Sequence, residues 1–228
     1  MRIKTIGRVC GNIALCALVV HLVFIQITVP LVFACRFVNP PITGIRLYRA
    51  VFYGWKERDS RFLSLRKIPL GTRRMILRVE DGNFYDHHGV VFAAFKNAWK
   101  INKSIGRPLY GGSTITMQTA RTLFLVPEKS YLRKYLEIIV ALEMETILGK
   151  DRIFELYLNN AEWGKGVYGI DAASRYHYKK SVANLTTDEA IRLVTLLSSP
   201  IKYTPYTIQK NGILRSRYAY LVGRFSAE

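Results

Sequence analysis

The chain has 228 residues, half of them hydrophobic, which is enough for one domain of ordinary size or two small ones. Its 34 lysines and arginines outnumber its 16 acidic residues, and the net charge of +18 indicates an anionic partner: a phosphate-bearing substrate, a membrane surface or nucleic acid. The cysteines, Cys10, Cys16 and Cys35, all lie in or beside the first apolar segment. This distribution excludes a disulfide framework for the rest of the chain.

The first predicted element is an uncharged apolar segment, residues 13–34. It exceeds the roughly 20 residues that a helix needs to span a bilayer. Arg2, Lys4 and Arg8 precede it, so the positive-inside rule places the N-terminus in the cytoplasm. A cleaved signal sequence, the alternative, has a shorter apolar core and a small-residue cleavage site. We therefore predict a cytoplasmic tail (1–8) and a single-pass anchor (9–35), with the remaining chain outside the cytoplasm.

Residues 36–68 form a membrane-proximal segment that begins with the Asn39-Pro40-Pro41 turn signal and is rich in aromatic and basic residues. Two interpretations stay open for it. It is an interfacial segment, because aromatic and cationic side chains favour the headgroup zone, or it is a linker with some helix. The main domain is then expected to cover residues 69–228.

Helical periodicity dominates the rest of the chain, and convincing strand patterns are scarce. We predict a mostly α fold, with one helix that carries Glu80 at its C-terminal end and another that opens with a capping box at Thr186-Thr187-Asp188-Glu189. Gly149 is predicted to end the longest helix in the C′ position. The predicted helices cover residues 70–79, 90–101, 130–148, 151–159, 171–178, 187–197 and 212–225.

Two carboxylates are candidates for chemistry. Glu80, at a helix end beside Phe84 and His87, is suited to exchange a proton with a sugar hydroxyl. Glu137 follows Arg133 by four residues, where an apolar stripe gives way to charge, so we expect it at the edge of a cleft. The alternative for Glu137 is a simple helix ion pair, worth about 0.2–0.5 kcal/mol.

A glycine pair, Gly111-Gly112, precedes a helix that is predicted to start near Ser113, with Ser113 as its N-cap. Thr114, Met117, Gln118 and Arg121 follow at helical spacing and should form one face. A helix N-terminus combined with an arginine suits a phosphate group. By contrast, the spacing of Asp81, His87 and His88 matches no strong metal-ligand pattern.

Five blocks of the sequence match one family in that family's order. The blocks are Glu80-Asp-x-x-Phe84-x-x-His87-x-Gly89, Gly111-Gly-Ser-Thr-Ile-Thr-x-Gln118, Arg133-Lys134-x-x-Glu137, Lys150-Asp-Arg-Ile-Phe-Glu-Leu-Tyr-Leu-Asn159 and Gly166-x-x-Gly169-x-x-Ala172-Ala173. Through them the chain resembles the peptidoglycan glycosyltransferases (peptidoglycan transglycosylases), a family that also supplies the N-terminal module of bifunctional penicillin-binding proteins. The resemblance is strongest to the monofunctional, membrane-anchored form and covers roughly residues 69 to 225.

The resemblance implies a lysozyme-like, mostly α domain with a cleft between two lobes, preceded by one transmembrane helix. It implies an inverting enzyme of the bacterial cytoplasmic membrane that polymerises lipid-linked disaccharide-peptide (lipid II) into β-1,4 glycan strands and releases polyprenyl pyrophosphate. The expected partners are this precursor, the growing strand, the membrane and other cell-wall enzymes, including a separate transpeptidase. Nucleic acid is not expected, because the outward topology argues against it and no groove-binding motif is found.

The resemblance also implies roles for single residues. Glu80 and Glu137 would be catalytic, Glu80 as the general base that takes the proton from the acceptor's 4-hydroxyl. The substrate-binding residues would be Asp81, Phe84 and His87 on the acceptor side, and Ser113, Thr114, Gln118, Arg121, Arg133 and Lys134 on the donor side. No cofactor is certain; Glu137 could hold Mg²⁺ or Mn²⁺, or could orient Arg133 instead.

The chain departs from the family's usual pattern at a few positions. Met117 stands for glutamine, and we expect this to remove one polar contact to the substrate. The other departures are Arg121 for lysine, Thr122 for asparagine, Trp163 for phenylalanine and His177-Tyr178 for tyrosine-phenylalanine. They concern substrate affinity more than reaction type. Two alternatives therefore stay open: a lysozyme-like lytic enzyme that cuts glycan, and a catalytically weak scaffold that binds the precursor.

Overall fold

The structure is a computed structural model that describes residues 2–58, 60–104, 106 and 111–226, with side chains from residue 11 onward. Within these ranges the chain forms ten α-helices and two short strands. The helices are α1 (Arg2–Ala34), α2 (Gly44–Tyr53), α3 (Leu70–Glu80), α4 (Phe92–Ser104), α5 (Ile115–Phe124), α6 (Tyr131–Ile147), α7 (Lys150–Asn160), α8 (Ile170–Tyr178), α9 (Thr187–Leu196) and α10 (Gly212–Phe225). The strands, β1 (Glu162–Gly164) and β2 (Val167–Tyr168), pair antiparallel. The predicted mostly α fold is confirmed.

Part of the N-terminal helix α1 packs against the rest of the protein. Its segment Gly11–Ala34 is the one helix of the described chain that is long and apolar enough to cross a membrane. The later half of α1 packs against α6, where the Thr28 hydroxyl lies 3.0 Å from the Glu143 carboxylate and the Tyr135 hydroxyl lies 3.1 Å from Nδ1 of His21. The C-terminal end of α1 is thereby fixed to the folded body.

Two groups of helices form the body. In one group α5 packs against both α6 and α7, and in the other α3 and α10 pack against α9. A single hydrophobic core, which includes Phe84, Phe154 and Trp163, runs through both groups. Glu80, the last residue of α3, lies where the two groups meet, and this arrangement corresponds to the two predicted lobes.

Most helix ends follow the local sequence signals. The capping box of α9 is confirmed, because the Thr186 side chain accepts from the backbone of Glu189 while the Glu189 carboxylate accepts from the backbone of Thr186. Gly149 directly follows Leu148, the C-cap of α6, and so occupies the predicted C′ position, but its φ of −76° is not the left-handed conformation that favours glycine there, and the same residue is the N-cap of α7. A glycine at this φ is not required by the backbone, since other residues adopt the same conformation.

The membrane-proximal segment is attached to the body along its length. Leu65 and Ile68 belong to the core. The backbone N–H of Leu63 donates to the Asn159 side chain at 2.8 Å, and that of Leu65 donates to the Glu155 carboxylate at 2.7 Å. The segment also contains α2, which packs against α5.

Candidate active site

The Glu80 carboxylate is held by side chains from two other helices. One of its oxygens forms an ion pair with Nη2 of Arg217 from α10. The other oxygen accepts from Nε2 of Gln118, on α5, at 3.2 Å. The Gln118 carbonyl in turn lies 3.4 Å from the hydroxyl of Tyr157, on α7, which fixes the orientation of the amide. Contacts from α5 and α10 therefore give the Glu80 carboxylate a defined position.

Sequence reasoning did not assign Arg217 or Tyr157 to this site. Arg217 is 137 residues from Glu80 in the chain, and no local sequence pattern connects the two residues. Tyr157 is part of the fourth sequence block, but no individual role at the site was predicted for it. Burial, together with the nearby Glu80 charge, raises the pKa of the Tyr157 hydroxyl well above its usual value. The hydroxyl therefore keeps its proton and can donate to Gln118.

The loop after Glu80 is braced by Asp81 and His87. One Asp81 oxygen lies 2.9 Å from Nε2 of His87 and accepts from the backbone N–H of Ile115 at 2.9 Å. The N–H of Gly89 donates to Nδ1 of His87 at 3.0 Å, so the hydrogen bonding assigns the proton to Nε2. Asp81 thus joins the C-terminus of α3, the loop and the first residue of α5.

Phe84 attaches this loop to the hydrophobic core. Its ring is buried against Phe154, with a centroid separation of 5.8 Å, and the Lys150 ammonium lies 4.5 Å from the ring centroid. Gly89, further along the loop, has a φ of +83°, and a Cβ there would lie 2.6 Å from the Glu145 side chain. The loop conformation therefore depends on this glycine. Phe84 is placed to shape the site but not to contact a ligand.

Thr114, not Ser113, is the N-cap of α5, so the predicted cap is wrong. The Thr114 hydroxyl accepts from the backbone N–H of Met117 and donates to the carbonyl of Gly89, and the residue is buried. Its side chain is thereby committed to holding the loop against α5. Ser113 remains half-exposed, and its hydroxyl accepts from the Lys134 ammonium at 2.7 Å.

The Glu137 carboxylate is covered by cationic side chains. Its side chain is fully buried; one oxygen binds the Arg133 guanidinium and the other lies 2.6 Å from the Lys134 ammonium. The prediction of a cleft-edge Glu137 is therefore wrong, because the carboxylate is covered by its two partners. Burial lowers the pKa of Lys134, and the neighbouring charges of Arg121 and Arg133 lower it further against the effect of Glu137. The structure thus brings together the three predicted cations, which we call the cation cluster (Arg121, Arg133, Lys134).

A cleft of about 450 Å³ is bordered by the loop after α3, by α4 and by the segment before α5. Glu80, Asp81 and His87 line one side of it, and Gly111 to Thr114 line the other. Gly112 lets α4 approach closely, because a Cβ there would lie 2.8 Å from the backbone of Phe95. The ion-paired carboxylate and the segment that binds Lys134 therefore border the same cleft.

Comparison with known proteins decides the family. The sequence model of the family described as Transglycosylase matches residues 48–224, most of the chain. This chain belongs to the transglycosylase family. The match extends the similarity into α2, upstream of the five blocks.

Relatives within the family carry one name, "Biosynthetic peptidoglycan transglycosylase". The chain is 43% identical to the Paraburkholderia xenovorans protein over 157 residues, 66% of this chain and 65% of that protein. For Paraburkholderia phytofirmans the values are 46% over 139 residues, 61% of this chain and 58% of the relative. For Caulobacter vibrioides they are 39% over 186 residues, 82% and 80%. The alignments with the first two relatives span slightly less than two thirds of those proteins.

A divalent cation does not fit at Glu137 of this transglycosylase-family chain. Both carboxylate oxygens are occupied by positive groups, and a third positive charge would be repelled. In the part of the chain that the structure describes, no group of three or more His, Cys, Asp or Glu side chains is arranged to hold a metal ion.

Met117, the departure expected on the substrate face, instead lies in the core. Its side chain is 0% exposed and belongs to the hydrophobic cluster, so the expectation of a lost substrate contact is wrong. The half-exposed side chains of α5 near the cleft are those of Gln118 and Arg121. Thr122 and Trp163, two further departures from the family pattern, are also buried. At the departure His177, burial lowers the pKa of the imidazole to about 4. Met117, Thr122 and Trp163 thus concern packing within this member of the family.

Proposed function

We propose that this chain is a peptidoglycan glycosyltransferase, which joins lipid-linked disaccharide-peptide units into a β-1,4 glycan strand. One observation carries the proposal: an ion-paired carboxylate, Glu80, and a segment bound to the cation cluster border the same cleft. A sugar transfer from a pyrophosphate donor needs a base for the acceptor hydroxyl and positive charge for the leaving group. The names of the relatives support the same activity.

In the proposed reaction Glu80 accepts the proton of the acceptor's 4-hydroxyl while that oxygen attacks the anomeric carbon of the donor. The bond from this carbon to the pyrophosphate oxygen breaks, and the lipid pyrophosphate leaves with the electron pair. Attack from the face opposite the leaving group inverts the anomeric carbon, so an α-linked donor gives a β linkage. General base catalysis of this kind typically contributes a factor of about 10²–10⁴ to the rate.

The cation cluster is proposed to bind the pyrophosphate as its negative charge increases. Preorganised cations stabilise this charge more in the transition state than in the ground state, because they need no reorganisation when the bond breaks. Ser113 adds a hydroxyl on the cleft side of Lys134. Glu137 acts here as a positioning residue, since it is fully buried and holds both Arg133 and Lys134.

The ion pair between Glu80 and Arg217 favours this transfer over the lytic alternative. A lysozyme-type lytic enzyme uses its glutamate as a general acid, which must be protonated before the reaction. Here the Glu80 carboxylate is paired with the Arg217 guanidinium, an arrangement that suits a proton acceptor better than a proton donor. A hydrolase that acts on an uncharged glycosidic bond would also gain little from the cation cluster.

We further propose that α1 anchors the protein in the bacterial cytoplasmic membrane, with the N-terminus inside and the cleft outside. The apolar segment Gly11–Ala34 and the three preceding cations support this orientation. The membrane, the lipid-linked precursor, the growing strand and a separate transpeptidase would be its partners. A reporter that is active only outside the cytoplasm should work when fused after residue 228, and activity of a cytoplasm-only reporter there would overturn the topology.

The activity is tested by incubating the purified full chain in detergent with lipid-linked disaccharide-peptide and separating the products on a gel. We expect a ladder of long glycan strands that is absent when Glu80→Gln replaces the wild-type protein. Binding of the precursor without polymer, under conditions in which a known polymerase is active, would instead support a scaffold function.

A further inference from the structure

The helix α2 turns its apolar side outward. Leu47, Val51 and Phe52 are 56%, 66% and 70% exposed, although each is a large hydrophobic side chain. A surface helix of a water-soluble protein normally buries this stripe and exposes its charges. The orientation of α2 therefore calls for an apolar surrounding on its outer side.

The charged side of α2 is bound to the body. Arg49 forms two hydrogen bonds to the Glu162 carboxylate, at 2.9 and 3.1 Å. Arg46 pairs with Glu57 at 3.0 Å and donates to the Asn160 side chain at 3.2 Å. Both arginine side chains are only 13–14% exposed. These contacts fix the rotation of α2, so its outward face is a property of the folded structure.

The outward face of α2 continues the apolar surface of α1. Between Ala34 and Gly44 lie nine residues, of which Phe37, Val38 and Ile42 are 71%, 60% and 66% exposed. The start of this connection is also fixed to the body, because the Arg152 guanidinium donates to the carbonyl of Cys35 at 2.8 Å. Exposed apolar side chains thus recur along the chain from the end of α1 to Phe52.

We infer that the outward face of α2 (Leu47, Val51, Phe52) lies on the bilayer that α1 spans, with its side chains at the boundary between headgroups and acyl chains. Interfacial helices bury an apolar face at this boundary, and binding increases with the apolar area buried. The inference rests on the proposed anchor function of α1. Contact at both α1 and α2 would restrict rotation of the body about the α1 axis.

Spin labels on the full chain in phosphatidylcholine–phosphatidylglycerol vesicles test this inference. Cys10, Cys16 and Cys35 are replaced by serine, and single labels are placed at Val51→Cys, at Leu22→Cys on α1, and at Gln209→Cys. The last two positions are exposed and serve as lipid and water controls. Oxygen, which concentrates in lipid, and a water-soluble nickel chelate are then compared as relaxing agents.

We expect the label at Val51 to resemble that at Leu22, with high oxygen access and a loss of nickel access, and the label at Gln209 to show the reverse. Nickel access at Val51 equal to that at Gln209 would place this face in water and overturn the inference. Protection of Val51 from both agents would also overturn it, since it would indicate a protein partner or a second copy. If Leu22 itself lacks oxygen access, the anchor proposal fails and the α2 inference falls with it.

Discussion

Glu80 and Arg217 form an ion pair although 137 residues separate them in the chain. The pair connects the end of α3 with the last helix, α10, and leaves the second carboxylate oxygen of Glu80 to the Gln118 amide. Arg217 therefore fixes the position of the proposed base.

Removal of the Arg217 side chain should affect the polymerisation rate more than the free energy of unfolding. A hydrogen bond to a charged group contributes about 1.5–3 kcal/mol, so Arg217→Ala should reduce turnover by roughly 10- to 100-fold. Added guanidinium ions should restore part of the rate, because they can occupy the vacated space beside Glu80. The control is Arg215→Ala, which removes an exposed cation from the same helix. If Arg217→Ala and Arg215→Ala lose equal activity and guanidinium ions do not restore it, the loss reflects the removal of positive charge in general and not a specific role of Arg217.

The role of Glu80 as base is tested by Glu80→Gln, which keeps the shape and removes proton acceptance. Turnover should fall by at least about 10², the lower limit for general base catalysis. Thermal stability should change little, because the amide oxygen can still accept from Arg217. Glu128→Gln, at an exposed acid, is the control. A Glu80→Gln enzyme with half the wild-type rate is incompatible with the assignment.

Lys134 predicts a specific pH dependence. Because its pKa is lowered below the usual 10.5, Lys134 carries its charge at low pH and loses it as the pH rises through the lowered value. As the pH rises, the polymerisation rate should therefore begin to decline at a lower pH than it would if Lys134 had the pKa of an ordinary lysine. In Lys134→Arg the alkaline decline should move to higher pH, since arginine stays charged. Coincident alkaline limbs in the two proteins would show that this charge does not limit the rate.

Met117→Gln restores the family's usual residue, and from the structure we expect no benefit. The amide would be buried in the core without an evident partner, at a cost of about 1–3 kcal/mol in the free energy of unfolding. Met117→Leu, which conserves volume, should cost less than about 1.5 kcal/mol. Denaturant unfolding of both variants measures the difference. Higher activity with unchanged stability in Met117→Gln would mean that residue 117 contacts the substrate after all.

Local signals in the sequence predicted the helices well because capping and periodicity act over a few residues. Thr186 and Glu189 identified the start of α9, and the uncharged run before Cys35 identified the apolar part of α1. Gly149 follows α6 as predicted, but its backbone conformation and its second role as the N-cap of α7 were not predicted. A glycine between two helices can follow one and begin the next, and the sequence alone does not give its backbone angle.

The sequence predicted which residues belong to the site better than it predicted their contacts and their burial. Arg133, Lys134 and Glu137 meet as their spacing on one helix requires. Burial was harder to infer, because Met117 and Gln118 are neighbours and a shift of 100° around the helix decides which one enters the core. Arg217 could not be found from any local pattern, since its relation to Glu80 exists only after α10 has packed beside α3.

The central claim, transfer from a pyrophosphate donor to a sugar hydroxyl, is tested most directly by product stoichiometry. The full chain is given radiolabelled lipid-linked disaccharide-peptide together with pre-formed glycan strands, and lipid pyrophosphate and strand length are measured in the same reaction. The account predicts one lipid pyrophosphate released for each new β-1,4 linkage, with strands that lengthen. Shortened pre-formed strands without released lipid pyrophosphate would show that the protein is a lytic enzyme and would contradict the account.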